Sequence, residues 1–154
     1  MAHIHEKIDF TASVYIVQDA KILLHKHKKL GIWLQPGGHV ELDEGPTEAA
    51  IREAKEETGF DVELVGQHSP KTEPLGRSNS LLLPMFLNRH NYDATHEHID
   101  FSYFARVVGG TLTPEDGVEM LWFSREQIEK GEVELLPDTR AYALAALDYF
   151  AQHS

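Results

Sequence analysis

The sequence of 154 residues contains no cysteine. That absence excludes disulfides, thiolate zinc sites, iron–sulfur clusters and a cysteine nucleophile, so any chemistry must use oxygen and nitrogen groups. Basic residues are also scarce, with 14 Lys and Arg against 25 Asp and Glu and a formal charge of −11. Sequence-independent binding of a long polyanion depends on Lys and Arg, so no nucleic-acid partner is expected. Apolar runs are short. None approaches the roughly 20 residues that span a bilayer, and Met1-Ala2-His3-Ile4-His5 lacks the apolar core of a secretory signal, so a cytoplasmic chain without a membrane partner is expected. Repeats, low-complexity tracts and long linkers are missing as well, which favours one domain over residues 1–154.

What is present reads as a mixed α/β chain. Phe10 to Val17 and Lys21 to His27 are β-prone runs separated by Gln18-Asp19-Ala20, as in a hairpin. Trp33-Leu34-Gln35-Pro36-Gly37-Gly38 reads as a short strand ending in a bend, where two glycines permit unusual backbone angles and close approach. Pro46 to Thr58 carries the signals of a helix, with proline in the first turn, Glu48 near the positive end and Gly59 as the stop. Further strands are expected at Phe60 to Val65, Leu81 to Leu87, Ile99 to Val108 and Met120 to Phe123, with a polar loop from Gly66 to Ser80 placed near the functional site. Ser124 and Gln127 have the spacing of a capping box, and Asp138 is a candidate cap for a C-terminal helix. A mixed β-sheet with helices on both faces follows.

The helix from Pro46 to Thr58 is where chemistry concentrates. At 100° per residue, Glu53, Glu56 and Glu57 fall on one side, while Ala50, Ile51, Ala54 and Thr58 share another. Like charges at these spacings repel by about 0.2–0.5 kcal/mol per pair, and a divalent cation would reverse the sign. Oxygen donors of this type suit Mg²⁺ or Mn²⁺, with the exposed carbonyl of the Gly37-Gly38 bend as a further ligand. Taken alone, such a cluster is more often solvated surface charge than a site.

The spacing changes that balance. Gly38, Glu44, Arg52-Glu53 and Glu56-Glu57-Thr58-Gly59-Phe60 fit the pattern GX5EX7REUXEEXGU, where U is a bulky apolar position. The chain thereby resembles the Nudix (MutT-type) hydrolase family, with Ala54 smaller than usual at its U position. The resemblance implies an α/β/α sandwich and metal-dependent hydrolysis of the pyrophosphate bond of a nucleoside diphosphate linked to another moiety. It also implies roles: Glu53, Glu56 and Glu57 as metal ligands, the Gly37 carbonyl as a backbone ligand, Arg52 as the residue that orients the glutamates, and Glu44 as a structural anchor. The general base is expected at Glu53, with Glu97 second and Glu115 and Glu119 behind. By fold-level analogy, a nucleoside triphosphate is the first expectation for the substrate. ADP-ribose, nucleotide sugars and dinucleoside polyphosphates are the alternatives within hydrolysis. A nucleotide-sensing module without catalysis is the alternative outside it, whereas an isoprenoid diphosphate isomerase of this kind would need the cysteine that is absent. A homodimer is left open.

Other residues have competing readings. His39, directly after the glycines, and Glu97 and His98 are candidates for contact with the substrate, with a solvated strand end as the plainer reading of the latter two. His25 and His27 alternate along a strand without an adjacent third ligand and read as surface residues. Arg77 and Arg89 could clamp a phosphate and Phe86, Tyr103 or Trp33 could stack on a base, but each fits an ordinary loop or core role equally well.

Overall fold

The computed structural model describes residues 6–71 and 78–153. Its centre is a parallel pair, β1 (Ile8–Gln18) and β7 (Glu97–Gly110), in register from Ile8 against Glu97 to Val17 against Arg106. Around it run β2 (Lys21–Lys26), β3 (Trp33–Leu34), β4 (Gly37–His39), β5 (Phe60–Val65), β6 (Phe86–Asn91) and β8 (Met120–Ser124). The sheet order is β3-β2-β1-β7-β5, with β4 on β1, β6 on β7 and β8 on β2. Except for the central pair, every neighbouring pair is antiparallel.

Side-chain alternation along β1 sorts two cores. Ala12, Val14 and Ile16 pack with Ala49, Ala50 and Ala54 of α1 (Pro46–Thr58). Tyr15 and Val17 pack on the opposite face with Ile128 of α2 (Arg125–Glu129) and Ala143, Ala146 and Leu147 of α3 (Pro137–Gln152). The result is the expected sandwich of helices on both faces of a mixed sheet. No helix among the described residues is long and apolar enough to cross a membrane.

Several local expectations need correction. The β1–β2 hairpin turns on Asp19 and Ala20 alone, both with positive φ, and Gln18 still pairs with Lys21. Gly37 and Gly38 lie inside strand β4, paired with Ser13 and Ala12, and neither has a positive φ. Their small size is needed for close approach of neighbouring groups of the protein. The strand expected at Leu81 to Leu87 begins only at Phe86, because Pro84 has no amide to give to a ladder. From Leu81 to Met85 the chain makes an isolated bridge between His68 and Leu82 and a backbone hydrogen bond from the Met85 amide to the Ser102 carbonyl, at 2.8 Å. Within α1, Ile51 is exposed and Ala49 takes its place in the core. Asp138 is not the cap of α3. Leu136 holds that position, Pro137 begins the helix, and Asp138 accepts a hydrogen bond from Asn88 Nδ2 at 3.2 Å. The capping box of α2 is present: Gln127 Oε1 accepts from the Ser124 amide at 2.9 Å, and Ser124 Oγ accepts from the Gln127 amide.

Candidate active site

Helix α1 starts at Pro46 after Gly45, whose amide donates to Glu48 Oε1, and stops at Gly59, where a φ of 83° turns the chain into β5. Its buried alanines press it against β1 and β4, so its acidic side meets the strand carrying Gly37 and Gly38. The fit is close. A Cβ on Gly38 would lie 2.6 Å from Cδ of Glu53 and nearer still to its Oε1. A Cβ on Gly37 would collide with the carbonyl oxygen of Ala12 and stand 3.0 Å from Cα of Ser13.

Glu53 and Glu57 open into one cavity of about 200 Å³, lined also by His25, Glu115, Val118 and Met120. Burial and the neighbouring charge of Glu53 push the Glu57 carboxyl up to about 8, against a partial opposing effect of a backbone hydrogen bond from Gly37. Two carboxylates forced together at low solvation favour sharing a proton or a cation over both being bare. His25 Nε2 lies 4.0 Å from Glu57 Oε2, but burial lowers the histidine pKa, so a neutral ring does not cancel the acidic charge.

Arg52 sits behind this pair as a fork. Its Nη2 donates to Glu44 Oε1 at 2.6 Å and Nε donates to Glu44 Oε2 at 3.0 Å, while Nη1 donates to Glu53 Oε1 at 3.0 Å and to Glu56 Oε2 at 3.1 Å. Nη2 also donates to the His39 carbonyl, at 3.0 Å. Hydrogen bonds from Arg52 hold the Glu44 carboxyl below the usual range. Glu44 also accepts from the Glu41 amide at 3.0 Å, and so ties the loop after β4 to the helix.

The expected site residues therefore separate into groups. Glu53 and Glu57 come together beside Gly38, with Arg52 attached. Glu56 is turned toward Arg52, its side chain more than half exposed, and is not among the described residues lining the cavity. Glu97 is ion-paired with Arg89 and also lies outside that lining. His39 and His98 are brought together, with ring centroids 5.1 Å apart, but at a separate cluster with Asp9. Arg77 lies outside the described residues. Phe86 is stacked on Tyr142 at 4.3 Å, Trp33 packs edge-on to Phe123, and Tyr103 is buried, so these aromatics serve the core. The loop after β5 borders a different groove, where His68 and Ser80 meet Thr47 and Ile51.

Two features escaped sequence reasoning. His25 joins the cavity from β2, although its alternation with His27 gave no sign of the partner on α1. Asp100 is a buried carboxylate that accepts from Thr11 Oγ1 at 2.7 Å, Ser13 Oγ at 2.9 Å and Ser102 Oγ at 2.8 Å. The alternating Thr11 and Ser13 on one apolar strand, and Asp100 and Ser102 on another, were the available signal, and only the strand pairing shows that they meet.

Comparison with known proteins places this geometry in a wider group. A family model described as the NUDIX domain matches residues 8–146. A protein of Lactococcus lactis named "Probable DHNTP pyrophosphohydrolase" is 34% identical over 104 residues, which is 68% of this chain and 57% of that protein. A MutT-like protein of Streptomyces ambofaciens is 42% identical over 53 residues, 34% of each chain. The chain thus spans little more than half of the first relative and about a third of the second. Among solved structures, a NUDIX-family hydrolase from Clostridium perfringens aligns with a TM-score of 0.76 and 34% identity, covering 92% of this chain and 97% of that one. A MutT NUDIX hydrolase from Burkholderia pseudomallei aligns with a TM-score of 0.66 at 24% identity, covering 93% and 98%, and shares the fold.

Proposed function

Since this chain belongs to the NUDIX family, on a match that runs from residue 8 to residue 146, we propose that it hydrolyses the pyrophosphate bond of a nucleoside triphosphate with Mg²⁺ or Mn²⁺ as cofactor. The observation that carries this reading is the meeting of Glu53 and Glu57 in one cavity, with Glu57 pushed up to about 8 by burial and by Glu53.

The residues fit a hard divalent cation. Glu53, Glu57 and Glu115 supply carboxylate oxygens to the same cavity, and their mutual repulsion is what a dication relieves. Glu53 and Glu57 would hold the ion, with the Gly37 carbonyl as backbone ligand and Glu56 completing the acidic set from its position on Arg52. When bound, such an ion offsets charge on the phosphates and makes an attacking water more acidic. Arg52 fixes the Glu53 carboxylate through Nη1 and is itself fixed by Glu44, so the orientation of Glu53 is set before substrate arrives. Glu53 is the proposed proton acceptor. Glu115 replaces Glu97 as the second candidate, because it faces the cavity while Glu97 is engaged by Arg89.

A Bacillus subtilis relative named "Putative 8-oxo-dGTP diphosphatase", 38% identical over 58 residues, supports a nucleoside triphosphate as substrate, and the Lactococcus relative's name points to a different triphosphate, DHNTP. The test is a product analysis with Mg²⁺ or Mn²⁺ across nucleoside triphosphates, DHNTP, ADP-ribose, nucleotide sugars and dinucleoside polyphosphates. Selective cleavage of a nucleoside triphosphate, lost in Glu57→Gln, is the expected result. Selective cleavage of another class would replace the substrate, and tight binding without turnover would make the protein a sensor.

A further inference from the structure

The parallel register of β1 and β7 sets Asp9 beside His98, and β4, on the other edge of β1, sets His39 beside Thr11. Three strands therefore deliver one carboxylate and two imidazoles to the same place. One ligand atom from each of Asp9, His39 and His98 lies within 4.8 Å of the other two. His39 Nε2 and Asp9 Oδ2 lie 3.7 Å apart. Bonds of about 2.0–2.1 Å in a tetrahedral site separate neighbouring ligand atoms by roughly 3.4 Å, so small side-chain rotations bring the three to an ion.

A second observation points the same way. His98 is only 8% exposed, and its Nε2 has no hydrogen-bond partner among the described residues. Buried polar atoms are nearly always satisfied, so a bare ring nitrogen calls for an acceptor of its lone pair or proton. Tyr92 stacks on the His98 ring at 4.8 Å, and His90 meets it edge-on at 5.4 Å, which holds the ring in place. His39 and Asp9 are about half exposed and give an ion a way in.

We propose that Asp9, His39 and His98 form a second metal site, distinct from the carboxylate cavity and selective for a borderline transition ion such as Zn²⁺ over Mg²⁺. Two imidazole nitrogens and one carboxylate suit Zn²⁺, Co²⁺ or Ni²⁺, whereas Mg²⁺ takes oxygen donors. Three protein ligands leave a fourth position for water. An ion there ties β4 to β7 across β1, and β4 carries Gly38, against which Glu53 is seated.

The test uses full-length protein free of any histidine tag, with Glu53→Gln and Glu57→Gln combined to silence the carboxylate cavity, and Co²⁺ as the probe. Titration is expected to saturate at one equivalent, with visible absorption of a nitrogen–oxygen site that Zn²⁺ abolishes and excess Mg²⁺ does not. His39→Ala and Asp9→Asn, at the two exposed ligands, are each expected to weaken Co²⁺ binding by more than the roughly 10–100-fold that loss of a supporting residue costs. Circular dichroism on both variants verifies that they fold. A titration without saturation, a signal displaced by Mg²⁺, or one unchanged by both substitutions in folded protein overturns the proposal.

Discussion

Gly38 and Glu53 are packed so closely that a Cβ on the glycine would lie 2.6 Å from the Glu53 Cδ. The neighbouring Gly37 is crowded by backbone, at Ala12 and Ser13, and the difference separates two effects. A side-chain end can swing aside, but a strand cannot. Gly38→Ala is therefore expected to keep nearly the wild-type melting temperature while losing about a hundredfold in kcat, the scale of a 1 Å misplacement of a reacting group. Gly37→Ala is expected to lose about 1–3 kcal/mol of stability from overpacking. Thermal melts and turnover on both variants check this; equal loss of stability would mean that Glu53 cannot move.

Glu44 is expected to act through Arg52. Removing its charge with Glu44→Gln leaves the Arg52 fork without its two-point anchor, so kcat should fall with KM little changed. Stability at neutral pH should drop by about 1.5–3 kcal/mol, as for hydrogen bonds to charged groups. Because Arg52 depresses the Glu44 carboxyl, its contribution is present above the usual carboxylate range and is lost as pH falls through the depressed value. Denaturation curves of wild type and Glu44→Gln should therefore converge in acid. Curves that stay parallel would assign Glu44 a role independent of its charge.

The sequence was most readable where interactions are local. Helix α1 occupies the expected Pro46–Thr58, because proline, Glu48 and Gly59 act within a turn of their own positions. The same locality put Glu53 and Glu57 together. It failed for Glu56, whose direction depends on competition for Arg52. It failed as well for Asp9, which meets His98 only through the β1–β7 register, and for Glu115 and His25, which enter the cavity from separate elements. Long-range pairing has no fixed spacing along the chain, so no periodicity discloses it.

The raised Glu57 carboxyl gives a signed expectation for the metal-free protein. Its folded value of about 8 exceeds the ordinary 4.5, so the folded state holds more protons than the unfolded state between them. Stability should be fully present in acid, fall as pH rises through that window, and level off above it. Glu57→Gln should remove this part of the slope while abolishing Mg²⁺-dependent turnover. Guanidinium denaturation from pH 5 to 9 in the presence of a chelator checks it; a variant much less stable than wild type at every pH would make Glu57 a structural residue.

Glu115 and Glu97 offer the sharpest contrast in assigning the proton acceptor after Glu53. Glu115 faces Glu53 and Glu57 across a small cavity, where a carboxylate can accept a proton from an attacking water or support the cation. Glu97 is paired with Arg89 at the surface, where solvent and salt screen such pairs and leave them little net effect on stability. Glu115→Gln is therefore expected to lower kcat by about 10²–10⁴-fold if it accepts the proton, and by less if it only supports the charge. Glu97→Gln should stay within a few-fold of wild type in both kcat and melting temperature. Measuring kcat for both at saturating Mg²⁺ separates these outcomes, and a larger loss in Glu97→Gln would move the acceptor to β7 and require Glu97 to leave Arg89 when substrate binds.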